Sequence, residues 1–170
     1  MDYYYFDASV LVKAYLWEVG TEDVRQVLRG VRAAPPRLRV ATSSVAFAEA
    51  ASAVSRRSFA RELTENEADE IWNRLVDDFG GPELPYLLLE PRLDVVGRAA
   101  ELARRHRLRA LDAIHLATGL VARQEASGGT FRFASADKRL NAAALSEAFD
   151  VFDPRSPVPP GTGSAVAPAE

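Results

Sequence analysis

The stretch Tyr3–Tyr4–Tyr5–Phe6–Asp7–Ala8–Ser9 decides the fold of this chain. Its aromatic first half is typical of a buried β-strand. After Asp7 the apolar residues recur at helical spacing, through Val10 and Leu11 to Tyr15 and Trp17. This change of period predicts a strand, a tight turn and a helix in direct succession, which is how an α/β unit begins.

The rest of the chain repeats this alternation. Apolar runs predict further strands at 38–42, 86–89, 130–134 and 149–152. Helical periodicity predicts one helix capped by Thr21 and ended by Pro35–Pro36, and a second capped by Ser43 or Ser44. A third helix begins at the capping box Thr64–Glu67 and stops at Gly80–Gly81–Pro82, and others cover 95–103, 112–123 and 137–148. Alternating strands and helices predict a mainly parallel sheet with helices on both faces.

Composition sets the outer limits of the interpretation. The chain has 170 residues, 48% of them hydrophobic and 26% charged, which is typical of one globular domain. It has no cysteine, two histidines, a net charge of −3, no apolar run of membrane-spanning length and no signal-peptide pattern. We therefore expect a cytoplasmic protein without disulfides or a zinc site. Residues 1–154 should form the domain, and residues 155–170 a mobile tail rich in Pro, Gly and Ala.

Four acidic residues lie beside the core-forming segments. Asp7 follows the first strand, Glu49 lies among small residues of a helix, Asp112 opens an apolar helix, and Asp137 follows the fourth strand. Each has an ordinary alternative when taken alone. The three aspartates suit helix starts, and Glu49 suits a solvated helix face.

Taken together, the four acids point to chemistry. Carboxylates are rarely buried without a partner, and open parallel sheets gather ligands at the carboxyl ends of their strands. A divalent cation bound at these strand ends would be a common partner for the four carboxylates. Oxygen ligands without cysteine indicate Mg²⁺ or Mn²⁺. The pattern therefore predicts metal-assisted chemistry on phosphates.

Neighbouring polar residues have two interpretations each. Ser9 holds the first carboxylate or satisfies the helix start, and Ser135 suits a cap. His115 is expected to be packed or hydrogen-bonded rather than a ligand. Lys138 and Arg139 are candidates for phosphate contact, with solvated helix residues as the alternative.

Several stretches together match one known pattern. The most specific is Leu111–Asp112–Ala113–Ile114–His115–Leu116–Ala117. The others are Tyr5–Phe6–Asp7–Ala8–Ser9, Thr42–Ser43–Ser44 with Ala48–Glu49, Ala134–Ser135–Ala136–Asp137–Lys138–Arg139–Leu140, and Phe149–Asp150–Val151–Phe152–Asp153–Pro154. At these residues, from 3 to about 154, the chain resembles PIN-domain proteins, and most of all the VapC-type toxins of bacterial toxin–antitoxin pairs.

This resemblance implies a five-stranded parallel sheet in a three-layer α/β/α sandwich. It implies an Mg²⁺- or Mn²⁺-dependent endoribonuclease that cuts single-stranded or structured RNA with a metal-activated water. The catalytic and metal-binding acids would be Asp7, Glu49, Asp112 and Asp137, with Ser9 and Ser135 orienting them. The implied partners are RNA, a small antitoxin whose C-terminal segment covers the groove, and a second copy in a homodimer. Asn141 is neutral where some relatives carry a fifth acid.

Alternative functions remain open at this point. A PIN-like module that only binds partners is one, and metal titration would distinguish it from a nuclease. An aspartyl-phosphate phosphotransferase or phosphatase is another, although Asp7–Ala8–Ser9 lacks the second aspartate such enzymes use. A dinucleotide-binding domain is disfavoured because no Gly-rich turn follows the first strand.

Overall fold

A five-stranded parallel sheet forms the centre of the molecule. The computed structural model describes residues 1–33, 38–81, 85–126 and 128–156. The strands are β1 (Asp2–Phe6), β2 (Leu38–Ser43), β3 (Leu87–Leu89), β4 (Phe131–Ala134) and β5 (Asp150–Phe152). They lie in the order β3-β2-β1-β4-β5, and every neighbouring pair is parallel. The predicted mainly parallel five-stranded sheet is confirmed.

Helices connect the strands. They are α1 (Ala8–Leu11), α2 (Thr21–Arg32), α3 (Val45–Phe59), α4 (Glu65–Gly80), α5 (Leu93–His106), α6 (Ala110–Glu125) and α7 (Lys138–Ser146). A 3₁₀ turn, Val12–Ala14, extends α1. In the described part of the chain, no helix combines the length and apolar content that a membrane crossing requires.

The alternating side chains of β1 build two separate cores. Tyr4 and Phe6 face one side of the sheet, where they pack with residues of α1, α3 and α4. Tyr5 faces the other side, where it packs with Phe133 and with residues of α5, α6 and α7. Because successive strand residues point to opposite faces, one aromatic run supplies both layers. This confirms the predicted three-layer α/β/α sandwich.

Two local predictions were wrong. The helix predicted from Val10 to Trp17 is shorter, because α1 passes into the 3₁₀ turn and Trp17 lies at the surface with 70% of its area exposed. Thr21 is the first residue of α2 rather than its cap, and Gly20 is the N-cap. The Thr21 hydroxyl instead donates to the backbone oxygen of Leu16 and accepts from the backbone N–H of Glu18, which holds the preceding loop.

Other boundaries agree within a few residues. The capping box at Thr64 is present, with the Glu67 N–H donating to the Thr64 hydroxyl and the Thr64 N–H donating to the Glu67 carboxylate. Ser44 is the N-cap of α3, although its side chain makes no capping bond. The predicted stops at Pro35–Pro36 and Pro82 lie outside the described residues, as does the predicted tail apart from Arg155 and Ser156.

The strand order places a crevice beside β1. The chain moves outward from β1 to β2 and β3, then returns to pair β4 with the opposite edge of β1. Adjacent connections therefore leave the carboxyl ends of β1 and β4 in opposite directions, which opens a crevice between them. Asp7 and Ser135 are the first residues beyond these two strands.

Candidate active site

Asp7 is the buried centre of this crevice. Its carboxylate is 4% exposed and accepts hydrogen bonds from three neighbours. Ser9 Oγ donates to both of its oxygens at 2.7 and 2.9 Å, Ser135 Oγ donates to Oδ2 at 2.7 Å, and the Val10 N–H donates to Oδ1 at 2.9 Å. Asp7 is thus the N-cap of α1, which was one of its two predicted roles, and its carboxylate also lies at the carboxyl end of β1.

The two serines join the loops on either side of the crevice. Ser9 Oγ accepts from the Ala136 N–H at 2.8 Å, and Ser135 Oγ accepts from the Asp137 N–H at 2.9 Å. Each hydroxyl therefore donates to the Asp7 carboxylate and accepts from a backbone N–H group of the loop between β4 and α7. The result is one network that ties the start of α1 to the start of α7.

Burial sets the electrostatics of Asp7. Loss of solvent raises the pKa of its carboxyl, and the neighbouring His115 and the hydrogen bonds from Ser135, Ser9 and Val10 offset part of that rise. His115 and the hydrogen-bond donors therefore favour the ionised carboxylate, whereas burial disfavours it. A nearby cation would stabilise that form further.

Asp112 and Asp137 face a shared cavity. It has a volume of about 220 Å³ and is lined by these two acids together with Arg109, Lys138 and Arg139. Asp112 is half-buried in the first turn of α6, whereas Asp137 is exposed. Asp137 also caps α7, because its Oδ1 accepts from the backbone N–H groups of Arg139 and Leu140.

The charges of these acids interact. Burial raises the pKa of Asp112, and the negative charges of Asp137 and, more weakly, Glu49 raise it further. Arg109 and His115 act in the opposite direction. The negative charges of the acids therefore repel one another, and binding of a proton or a dication would relieve this repulsion.

Glu49 reaches the same end of the sheet from α3. Its side chain is 24% exposed, and Oε2 lies 2.7 Å from Nε2 of His115. On its other side the His115 ring contacts the Tyr5 hydroxyl, 2.9 Å from Nδ1. His115 is thus a buried hydrogen-bonding residue, as the sequence predicted.

The four acids do not form a ready-made metal cage. Among residues 1–33, 38–81, 85–126 and 128–156, no three His, Asp or Glu side chains lie close enough together to hold one ion. The structure brings Asp112 and Asp137 to one cavity, places Asp7 among its serines, and pairs Glu49 with His115. The role of these four as a common site remains a proposal.

Basic residues at the rim were partly missed by the sequence analysis. Lys138 and Arg139, which are predicted to contact phosphates, line the cavity together with Arg109. Arg155 lies beyond β5, where its guanidinium contacts the Asp153 carboxylate through Nε and Nη2 at 3.1 and 2.9 Å. The hydrogen bond to Asp153 raises the pKa of Arg155, and the charges of Asp137 and Asp7 add to this rise. No local pattern distinguishes such arginines from the many others.

Asn141, the neutral residue on α7, has a structural contact. Its Nδ2 donates to the backbone oxygen of Ser135 at 3.0 Å, and its side chain is buried. The amide therefore fastens α7 to the end of β4 behind the crevice. An ionised carboxylate at this position could not form that hydrogen bond, because it has no donor.

Known proteins share this sequence pattern and this fold. Two relatives, Ribonuclease VapC45 and Ribonuclease VapC49 from two Mycobacterium tuberculosis strains (CDC 1551 / Oshkosh and ATCC 25618 / H37Rv), are each 34% identical over 119 residues, which is 68% of this chain and 74% of theirs. Among solved structures, a toxin–antitoxin complex from Klebsiella pneumoniae superposes with a TM-score of 0.56 and 16% identity, covering 88% of this chain and 96% of that one.

A second solved structure, VapBC2 from Rickettsia felis bound to a DNA fragment from its promoter, gives a TM-score of 0.57 at 8% identity, covering 89% of this chain and 98% of that one. At such identities these structures establish the fold alone. The model of the PIN domain family matches residues 4–145, most of the sequence. The chain therefore belongs to the PIN domain family.

Proposed function

We propose that this protein is an Mg²⁺- or Mn²⁺-dependent endoribonuclease and the toxin of a toxin–antitoxin pair. The main support is the crevice at the ends of β1 and β4. There, acidic residues whose charges interact lie beside a cavity with basic residues at its rim. The ribonuclease relatives at 34% identity support the same activity.

The donor set fits a hard divalent cation. The crevice offers carboxylate oxygens, and Asp112 is destabilised in its charged form by burial and by Asp137. A dication would relieve this repulsion. The residues that would hold it are Asp7, Glu49, Asp112 and Asp137. When bound, the metal would polarise the phosphoryl group and make water a better nucleophile.

The remaining residues would orient the reactants. Ser9 and Ser135 keep the Asp7 carboxylate in one rotamer through their hydrogen bonds. Arg109, Lys138 and Arg139 would contact the phosphates of the bound RNA, since they line the cavity that holds two of the acids. Positively charged side chains beside the acids would also stabilise negative charge that develops on the scissile phosphate.

The residues around Asp7 favour this proposal over an aspartyl-phosphate mechanism. Enzymes that form an aspartyl phosphate use a second aspartate two residues after the first as general acid. In this chain that position is Ser9, whose hydroxyl donates to both oxygens of Asp7. Ser9 therefore stabilises the anionic carboxylate and cannot supply the acid that such an enzyme needs.

Cleavage of RNA by purified protein tests the activity. The protein is incubated with total RNA in Mg²⁺, in Mn²⁺ and in excess chelator, and new 5′ ends are mapped. We expect cleavage only with metal, and its loss by at least about 100-fold in Asp7→Asn and in Asp112→Asn. Asp94→Asn changes an exposed acid on α5 and should keep full activity. Cleavage that survives in Asp7→Asn or in chelator would refute the mechanism.

We further propose a small antitoxin as partner and a homodimer as the assembled form. The solved neighbours named above are toxin–antitoxin complexes, which supports the first part. A short reading frame next to the gene should encode the antitoxin. Its product should co-purify with the chain and suppress RNA cleavage, and light scattering of the chain alone should give twice the 18.6 kDa monomer mass. Failure to co-purify or a monomer mass would contradict the corresponding part.

A further inference from the structure

A chain of hydrogen bonds connects the centre of the sheet to Glu49. It starts at the hydroxyl of Tyr5 on β1, passes through the imidazole of His115 on α6, and ends at Oε2 of Glu49 on α3. Tyr5 is fully buried and His115 is 2% exposed. Three elements from both sides of the sheet therefore meet in one polar line beneath the crevice.

The direction of the hydrogen bond between His115 and Glu49 follows from the chemistry of the carboxylate. An ionised carboxylate only accepts, so Nε2 of His115 must donate to Glu49. The Tyr5 hydroxyl can donate or accept, so it satisfies Nδ1 of His115 whether or not that nitrogen carries a hydrogen. Both nitrogens of the His115 ring therefore have a partner, and the ring orientation is fixed. Oε2 is occupied, whereas Oε1 of Glu49 has no hydrogen bond from the described residues.

Core packing alone does not explain a histidine at this position. Most other buried positions of α6 carry apolar residues, among them Ala113, Leu116, Ala117 and Leu120. A buried polar ring must be fully hydrogen-bonded to be tolerated, whereas a leucine would have no such requirement. Here both ring nitrogens are used, and one of them is directed at a carboxylate of the crevice.

We propose that Tyr5 and His115 are positioning residues, which hold Glu49 by Oε2 so that Oε1 is directed toward the metal. The inference rests on the proposed metal-dependent function and adds two residues to it. It resembles the outer layer of metal sites in general, where a hydrogen-bonded partner fixes the orientation of a ligand. The partner is usually a carboxylate that holds a histidine, and here the roles are exchanged.

Manganese binding without RNA tests this proposal. Chelator-stripped protein is titrated with Mn²⁺, and the free ion is measured by its electron paramagnetic resonance signal. His115→Leu should weaken Mn²⁺ binding by about 10- to 100-fold. His115→Gln keeps an N–H donor for Glu49 and should recover most of that loss. Tyr5→Phe should weaken binding by roughly 2- to 10-fold, the effect of one neutral hydrogen bond.

A double-mutant cycle separates positioning from general damage. If His115 acts through Glu49, then Glu49→Ala with His115→Leu should bind Mn²⁺ as weakly as Glu49→Ala alone. Thr21→Val is the matched control, since it removes a buried hydroxyl with two hydrogen bonds from α2. It should lower thermal stability and leave Mn²⁺ affinity unchanged.

The outcomes distinguish this proposal from the proposed function. If the unaltered protein neither binds Mn²⁺ nor cleaves RNA, the metal-dependent function is wrong and the positioning role is wrong with it. If the unaltered protein does both, the Mn²⁺ affinities of the variants decide the positioning role. That role alone is refuted if His115→Leu binds Mn²⁺ as tightly as the unaltered protein. It is also refuted if the losses of Mn²⁺ affinity in His115→Leu and Glu49→Ala add fully in the double variant. Should His115→Leu fail to fold, Tyr5→Phe and His115→Gln decide the question by the same criteria.

Discussion

Gly119 sets how closely helix α6 approaches the sheet. A Cβ atom at this position would lie 2.9 Å from the Cδ2 and Cε2 atoms of the Phe133 ring and 3.4 Å from Cγ of Tyr5. Carbon atoms in good contact are about 3.5–4.0 Å apart, so an added methyl group would overlap the ring by roughly 0.6–1.1 Å. The perturbation that exposes this constraint is Gly119→Ala.

The ring cannot relieve the overlap. Phe133 is fully buried and lies between Tyr5, with ring centroids 5.2 Å apart, and Phe149, at 5.3 Å. The helix must therefore move outward, and such overpacking costs about 1–3 kcal/mol. Alanine gains about 1 kcal/mol over glycine in a helix interior, so the net loss of unfolding free energy is about 0–2 kcal/mol.

Gly97→Ala is the matched control. Gly97 is an exposed residue inside α5, and no atom lies within 4 Å of the position its Cβ would take. This variant should gain about 1 kcal/mol from helix propensity alone. Because the propensity gain is common to both variants, their difference of about 1–3 kcal/mol measures the clash at Gly119.

Unfolding in urea and RNA cleavage together test the reasoning. Gly119→Ala should unfold at lower urea than Gly97→Ala, with a melting temperature lower by about 2–12 °C at 2–4 °C per kcal/mol. The same α6 carries Asp112 about two turns earlier, so a shift approaching 1 Å could lower cleavage by up to about 100-fold. Equal stabilisation by the two alanines would show that α6 is not held this tightly, and the argument would fail.

Three further predictions follow from single features. Burial raises the pKa of Asp7, so the folded chain binds this proton more tightly than the unfolded chain does. The unfolding free energy of the metal-free protein should therefore fall as the pH rises from about 3.8 through the higher pKa of the folded state. Urea unfolding in chelator from pH 4 to 7 should show a smaller fall for Asp7→Asn. Thr64→Ala removes a capping box and should cost about 1 kcal/mol, with no effect on cleavage. Leu116→Ala empties a fully buried position and should cost about 2–5 kcal/mol in the same melts, and a cost below 1 would contradict the packing described.

Much of the fold was predictable because its signals are local. The aromatic run before Asp7 alternates between two cores, and a strand buried on both faces has to be apolar throughout. The capping box at Thr64 satisfies helix N–H groups with residues three apart in sequence, so it can be recognised without a structure. The predicted helix through Trp17 was wrong because the periodicity of apolar residues does not show where an α-helix ends and a 3₁₀ turn and surface loop follow.

The candidate site was predictable to a lesser degree. The acids Asp7, Asp112 and Asp137 follow strands or open helices, and that position alone indicates the carboxyl edge of a parallel sheet. Their environments differ in a way that sequence does not show, since Asp7 is buried and Asp137 is exposed. Burial depends on which loops cover the crevice, and those loops are brought together only by folding.

The sequence by itself determined the alternation of strands and helices, the parallel sheet and the four acids, because each follows from the chemistry of neighbours in the chain. The tertiary structure alone decided that the hydroxyl of Ser135 reaches Asp7, that Arg109 and Arg139 share one cavity, and that His115 bridges β1 and α3. These contacts join residues as far as 128 positions apart. Hydrogen bonds and Coulomb interactions depend on distance in space, and only the packing of the layers sets that distance.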